Sequence, residues 1–264
     1  NNITPIFLKG TGNLLAGIYD DIAERMVGDI DFLFSKEDYP NAITVLRENG
    51  YSEVNKYAYY FPYEKHYRRL QKENNIAAIE IHRELLDVKK YIKEFNYNVV
   101  KKDSQVIDEA CVLSHANKLN LTILSKQIND SGFYYKTIPL RSAYDVFLLS
   151  KKTSAKEAAN SLNTLNHSLN CFLATCHEVF NSVASLDYNN TTITAAYLND
   201  FNSQFANPKA THRKHKKIKI YLSLRHRLNV IYKCIIFKEY RVWLFKKLTD
   251  KNWYKEKIIQ LGFK

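Results

Sequence analysis

Asp29 and Asp31 stand two residues apart in the run Gly28-Asp-Ile-Asp-Phe-Leu33. The alternation of that run predicts a strand over Asp29–Phe34, and strand side chains point to opposite faces in turn. Both acids therefore share one face while Ile30 and Phe32 share the other. Two carboxylates held that close repel and raise each other's pKa. A hard divalent cation such as Mg²⁺, which prefers oxygen ligands, removes the conflict. Such a site wants a third acid on a neighbouring strand. Glu80 in Ala78-Ile-Glu-Ile-His82 supplies one, with Ile79 and Ile81 turned to the core and Glu80 and His82 on the other face. Upstream, Lys9-Gly10-Thr11-Gly12 follows the apolar run Ile3–Leu8 and precedes a helical pattern from Asn13 to Tyr19. Backbone N–H groups in a turn at a helix start cradle phosphate, and Lys9 or Arg25 could neutralise its charge. Singly these pieces are commonplace: a solvated Asp-x-Asp face, a Gly-x-Gly turn, a surface glutamate, a hydrogen-bonding histidine. Their order is what points to metal-assisted chemistry on a phosphate compound: phosphate turn, helix, paired acids on a strand, helix, acid on a later strand.

The elements that must hold these residues read as α/β up to residue 87. Ser35 is placed to cap a helix, with Asp38 in the capping-box position, Ala42, Val45 and Leu46 on the apolar face, and Asn49-Gly50 at the end. Tyr51–Tyr63 is aromatic and strand-like, Asn74-Asn75 marks a turn, and Ile76–Leu85 alternates again. From about Asp103 the period changes from 2 to 3.6. Helices are expected at Ser104–Ser125, Leu140–Lys151, Ser154–Val183, Thr192–Phe205 and through a long segment near Lys209–Leu248. The expected fold class is α+β: a small mixed-sheet domain over residues 1–100, then a helical domain over 101–264 with a basic C-terminal region.

The chain has 264 residues with 39 Lys+Arg against 27 Asp+Glu, a net charge of +12. Residues 201–264 hold 17 of the basic residues and 3 of the acidic ones, so the rest of the chain is near neutral at −2. The composition is 45% hydrophobic and 25% charged, which excludes a disordered chain; 7 Gly and 5 Pro exclude a collagenous or low-complexity one. No run reaches 18 apolar residues, so no membrane-spanning helix is expected, and no signal peptide opens the sequence. Cys111, Cys171, Cys176 and Cys234 lack metal-ligand spacing and read as buried thiols of a cytoplasmic protein. Residues 209–227, KATHRKHKKIKIYLSLRHR, admit three readings: a solvated helix face, an RNA-binding surface with Tyr221 and histidines available to stack on bases, or a face for an anionic membrane, with Val230–Phe237 and Val242–Phe245 as apolar segments. The density of aliphatics suggests a helix with one face packed on the protein and its cations outward. RNA, tRNA in particular, is slightly favoured over a membrane-proximal role.

Phe7-Leu-Lys-Gly-Thr-Gly-Asn-Leu14 followed by Arg25-Met-Val-Gly-Asp-Ile-Asp-Phe-Leu33 resembles the DNA polymerase β-like nucleotidyltransferase superfamily. Within it, the sequence is similar to uncharacterised bacterial nucleotidyltransferases with a Leu-Lys-Gly loop. It is also similar to abortive-infection (AbiEii-type) toxin nucleotidyltransferases, in which an Arg precedes Asp-Ile-Asp by four residues, the place of Arg25 here. The resemblance implies an enzyme that moves an NMP from an NTP such as ATP to a hydroxyl. It implies two Mg²⁺ ions on Asp29, Asp31 and Glu80, and phosphate contacts from Lys9, Gly10, Thr11, Gly12 and Arg25. Lys136, Arg141 and Asp145 are a loose counterpart of the toxins' Lys, Arg and Asp near the nucleotide. It favours an RNA end as acceptor, with a protein or small-molecule hydroxyl near a membrane, or a non-catalytic RNA-binding module, as the alternatives, and a toxin would have an antitoxin partner. The sequence departs from the pattern in three places. Thr11 stands where Ser is usual, Glu80 where Asp is usual, and Ser142 where an acid often follows the Arg.

Overall fold

The computed structural model describes residues 3–54, 64–250 and 254. They fall into two compact units, one running to Pro208 and the other starting at Lys209.

In the first unit, seven short strands form one mixed sheet. They are β1 (Ile6–Phe7), β2 (Asp29–Leu33), β3 (Ser52–Glu53), β4 (Leu70–Gln71), β5 (Ala78–His82), β6 (Gln105–Ile107) and β7 (Ala110–Val112), in the order β3-β4-β5-β2-β1-β7-β6. β2 and β5 are parallel at the centre, β1 is antiparallel to β2, and β7 is parallel to β1. Ile6, Leu33, Leu70, Ile81 and Val112 have no exposed surface, which is what anchors such short strands. Around the sheet stand α1 (Lys9–Leu15), α2 (Tyr39–Glu48), α3 (Lys89–Ile92), α4 (Tyr97–Lys102), α5 (His115–Leu124), α6 (Gly132–Tyr135), α7 (Leu140–Ser150), α8 (Ala155–Asn160), α9 (Asn166–Val179) and α10 (Thr192–Ala206). Ile6 and Leu33 of the sheet share one core with Leu119, Ala143, Val146 and Phe172 of the helices. The change from strands to helices near residue 100 therefore falls inside a single packed body. The fold is α+β, as the alternating and then helical periodicity requires.

Four local expectations are revised. The helix expected from Asn13 begins at Lys9, so the glycines lie in its first two turns rather than in a loop before it. Ser35 does not cap α2. Its Oγ accepts from the Asp38 N–H at 3.0 Å one turn earlier, and the helix starts at Tyr39. Of the strand expected over Tyr51–Tyr63, Ser52–Glu53 forms, and residues 55–63 lie outside the described ones. The helix expected from Ser104 is instead the β6–β7 hairpin up to Val112. Its turn, Asp108-Glu109, has φ of 45° and 67°, and α5 starts only after Ser114, whose Oγ accepts from the Asn117 N–H.

In the second unit, α11 (Pro208–Ile236) and α12 (Lys238–Leu248) are separated by Phe237 in extended conformation. The expected apolar packing face is not found there. Cys234 and Tyr240 are the buried hydrophobic residues among those described, while Ile220, Leu224, Leu228 and Ile231 are more than half exposed. No helix among the described residues is long and apolar enough to cross a membrane.

Candidate active site

Parallel pairing of β2 with β5 sets Asp29 opposite Ala78, Asp31 opposite Glu80 and Leu33 opposite His82. Asp31 and Glu80 thus project side by side from the two central strands, with His82 two residues on along the same face. Asp31 is 2% exposed. A carboxylate so buried must be paired, and Oδ1 accepts from Lys9 Nζ at 2.5 Å and meets His82 Nε2 at 2.8 Å. Glu80 Oε2 lies 3.7 Å from His82 Nε2 and 3.9 Å from Lys9 Nζ. The adjacent His82 ring, helped by nearby positive charge, outweighs burial and holds the Glu80 carboxyl at a pKa of about 2. Asp31, Glu80 and His82 offer ligand atoms within 4.8 Å of one another. Two oxygens and one nitrogen at that spacing suit a divalent cation.

The sequence groups Asp29, Asp31 and Glu80; the structure brings Asp31, Glu80 and His82 together and holds Asp29 at the rim. Asp29 Oδ2 accepts from Arg69 Nη2 at 2.7 Å, and Arg69 Nε is 3.5 Å from Glu80 Oε1. Arg69 precedes Leu70, whose antiparallel partner is Ile79, so it faces Glu80 across the strands. Arg69 escapes notice in the sequence because its register is fixed by long-range pairing. His82 was visible as a neighbour of Glu80 on the same face, and its contact with Asp31 depends on the β2–β5 register.

Helix α1 places Lys9 against the acids. Lys9 has φ of 48°, a left-handed conformation that a lysine adopts at a cost of order 1–3 kcal/mol. The glycines leave no room for a side chain. A Cβ on Gly12 would lie 2.6 Å from the Phe7 carbonyl oxygen, and one on Gly10 would lie 3.1 Å from Arg25 Nη2. Thr11 Oγ1 is buried without a hydrogen-bond partner among the described residues, a polar atom left over on the helix that carries Lys9.

Beside the acids opens a cavity of about 360 Å³ lined by residues that include Lys9, Arg25, Lys65, His82, Lys126, Arg141 and Asp145. Five cations against Asp130 and Asp145 make it a receptacle for a polyanion. Arg25 Nε lies 3.4 Å from Asp145 Oδ2, and the Tyr19 hydroxyl donates to Asp145 Oδ1 at 2.8 Å. Burial raises the Asp145 pKa and pushes the Tyr19 hydroxyl up to about 12. Asp145 thus orients Arg25 towards the cavity, and Arg141 lies one turn before it on α7. The turn of π-helix at Ser125–Asn129, continuing α5, supplies Lys126. Lys65 and Lys126 have no motif around them and were not legible in sequence. Lys136 is not brought to this cavity. It has φ of 53°, and its Nζ sits over the Phe133 and Tyr197 rings at 4.4 and 4.2 Å, lining a separate hollow with Asp200. Lys136 ends α6 in left-handed conformation, and residues 137–139 lead from it into α7, so the two residues part, which the linear spacing of Lys136 and Arg141 does not show.

The family described as uncharacterised nucleotidyltransferase matches residues 1–180, more than half of the chain, and the chain belongs to that family. The matched residues include the acids, α1 and the cation-lined cavity, and the chain is a nucleotidyltransferase. No curated protein matches. Among solved structures, JHP933 from Helicobacter pylori is similar at 13% identity over 88% of this chain and 90% of that one, with a TM-score of 0.37, a likeness that carries no argument.

Proposed function

We propose that this nucleotidyltransferase moves an NMP from an NTP to a hydroxyl acceptor with the help of Mg²⁺, in the manner of the polymerase β-like superfamily and its toxin branch. The observation that carries the reading is the convergence of Asp31, Glu80 and His82 beside a cavity lined by five cations. Asp31 and Glu80, with Asp29 at the rim, would hold two Mg²⁺ ions. When bound, these would neutralise the phosphate charge that develops as pyrophosphate leaves. The chain's own groups do the rest by position and charge. Lys9 and the first turn of α1 at Gly10, Thr11 and Gly12 grip the β- and γ-phosphates. Arg25, oriented by Asp145, and Arg141 close on the triphosphate from the helical side. Glu80, ionised at neutral pH, would complete the metal site facing the acceptor hydroxyl and favour its deprotonation. In this division of labour residues 1–100 provide the catalytic part, and α5 with its π-turn and α7 the wall over the nucleotide.

The toxin-like resemblance favours an RNA end as acceptor, tRNA included, and an antitoxin as regulator. A protein or small-molecule hydroxyl near a membrane is the second reading, favoured by the exposed aliphatic residues of α11. Incubation of the protein with each α-labelled NTP, total tRNA and cell extract tests the reaction. Asp29→Ala should abolish label transfer while the circular dichroism and melting curve stay native. Full transfer by that variant would overturn the assignment.

A further inference from the structure

Helix α11 is unusual in what it leaves exposed. Between residues 208 and 236 the sequence has nine Lys and Arg and no acid. Ile220, Leu224, Leu228, Ile231 and Ile235 follow at intervals of four, four, three and four residues. At 3.6 residues per turn they fall on one face, along roughly 22 Å of helix. Their exposures are 52%, 53%, 66%, 55% and 73%, so the described residues do not bury this face. Arg213, Lys216, Lys217, Lys219 and Arg227 are exposed before and beside the stripe.

The occupant must satisfy both features. A nucleic acid would meet the cations and find the planes of Tyr221 and Tyr232 to stack on, but it would leave the stripe of Ile and Leu in water. A second copy of α11 would cover the stripe but set nine positive charges against nine. An anionic bilayer meets both, with headgroups for the cations and an acyl boundary for the aliphatics. We propose that α11 lies flat on an anionic lipid surface, its Ile220–Ile235 stripe inserted at the acyl boundary and its Lys and Arg on the headgroups. The surface is too charged and too short of apolar residues to span the bilayer, in line with the absence of a membrane-crossing helix among the described residues.

Flotation of the full chain with vesicles of phosphatidylcholine, with and without phosphatidylglycerol, tests this. Binding should require phosphatidylglycerol and weaken as salt shortens the Debye length from about 10 Å to about 3 Å. Leu228→Ser with Ile231→Ser leaves the charge unchanged and alters two exposed positions. It should lower the vesicle-bound fraction about tenfold while helicity is unchanged. Flotation that survives the double Ser variant would show cation adhesion without insertion and overturn the proposal. So would no flotation by the wild type, whether the protein instead shifts labelled tRNA on a gel or forms a dimer that the Ser variant loses.

Discussion

The contact between Lys9 and Asp31 can be probed by removing its charge with Lys9→Met. Asp31 is buried with its side chain 3% exposed, and Lys9 Nζ sits 2.5 Å from Oδ1 with its own side chain 35% exposed. Breaking a fully buried pair costs about 3–5 kcal/mol because the survivor is left uncompensated. Here water reaches the lysine end and the His82 contact remains, so about 2 kcal/mol is expected for the metal-free protein. For a unit of this size that lowers the melting temperature by about 4–8 °C. A divalent cation at Asp31 would replace the missing charge, and it no longer has to displace Lys9. Mg²⁺ or Mn²⁺ at a hundredfold excess over Kd adds about 2.7 kcal/mol, enough to recover the loss. The gain should be larger in Lys9→Met than in the wild type. The assay is thermal unfolding with metal titration, run on wild type, Lys9→Met, Asp31→Asn and the double variant. The double variant should be less destabilised than the two single effects summed, with a coupling of about 2 kcal/mol. Additive single effects and a metal response that ignores Asp31 would refute the view that Lys9 holds the charge of an empty-handed metal ligand.

Two further perturbations test the scaffold. Gly12→Ala places a Cβ 2.6 Å from the Phe7 carbonyl oxygen and should destabilise by about 1–3 kcal/mol in denaturant melts, with loss of transfer as α1 is pushed off β1. Lys118 is 3% exposed, donates to the Leu113 carbonyl at 2.5 Å, and is held by burial at a pKa of about 8, below the usual 10.5. Below pH 8 both folded and unfolded chains carry the proton, and the folded one bears a penalty of roughly 3 kcal/mol. Between pH 8 and 10.5 the unfolded chain binds more protons, so this lysine's contribution to stability rises. Wild type minus Lys118→Met should show that rise in melts taken across the window, and the Met variant should be the more stable at pH 7.

How much of this was legible in the sequence depends on the range of the interaction. Asp29 and Asp31 sharing a face follows from strand periodicity, and Ile79 and Ile81 are buried as their alternation requires. The pairing of Asp31 with Glu80 is a register between strands separated by about half a hundred residues, and no local pattern fixes it. The same holds for Arg69, which pairs with Asp29 at the rim. The β6–β7 hairpin was hidden because both turn residues, Asp108 and Glu109, take positive φ without the Asn-Gly or Gly that signals such a turn. Asp145 was read as a nucleotide neighbour, and its placement beside Arg25 and Tyr19 adds an orienting role that depends on α7 packing against the segment before β2. The basic run was plain in composition, but the aliphatic face beside it was expected to be covered, because apolar spacing along a helix says nothing about what lies opposite.

The fate of the label from an NTP tests the central claim most directly. Nucleotidyl transfer by Asp31 and its partners requires that α-labelled NTP with Mg²⁺ yields labelled acceptor and one pyrophosphate per transfer, and that Asp31→Asn, folded by circular dichroism, yields neither. Transfer of the γ-label, or undiminished α-label transfer by Asp31→Asn, would contradict it.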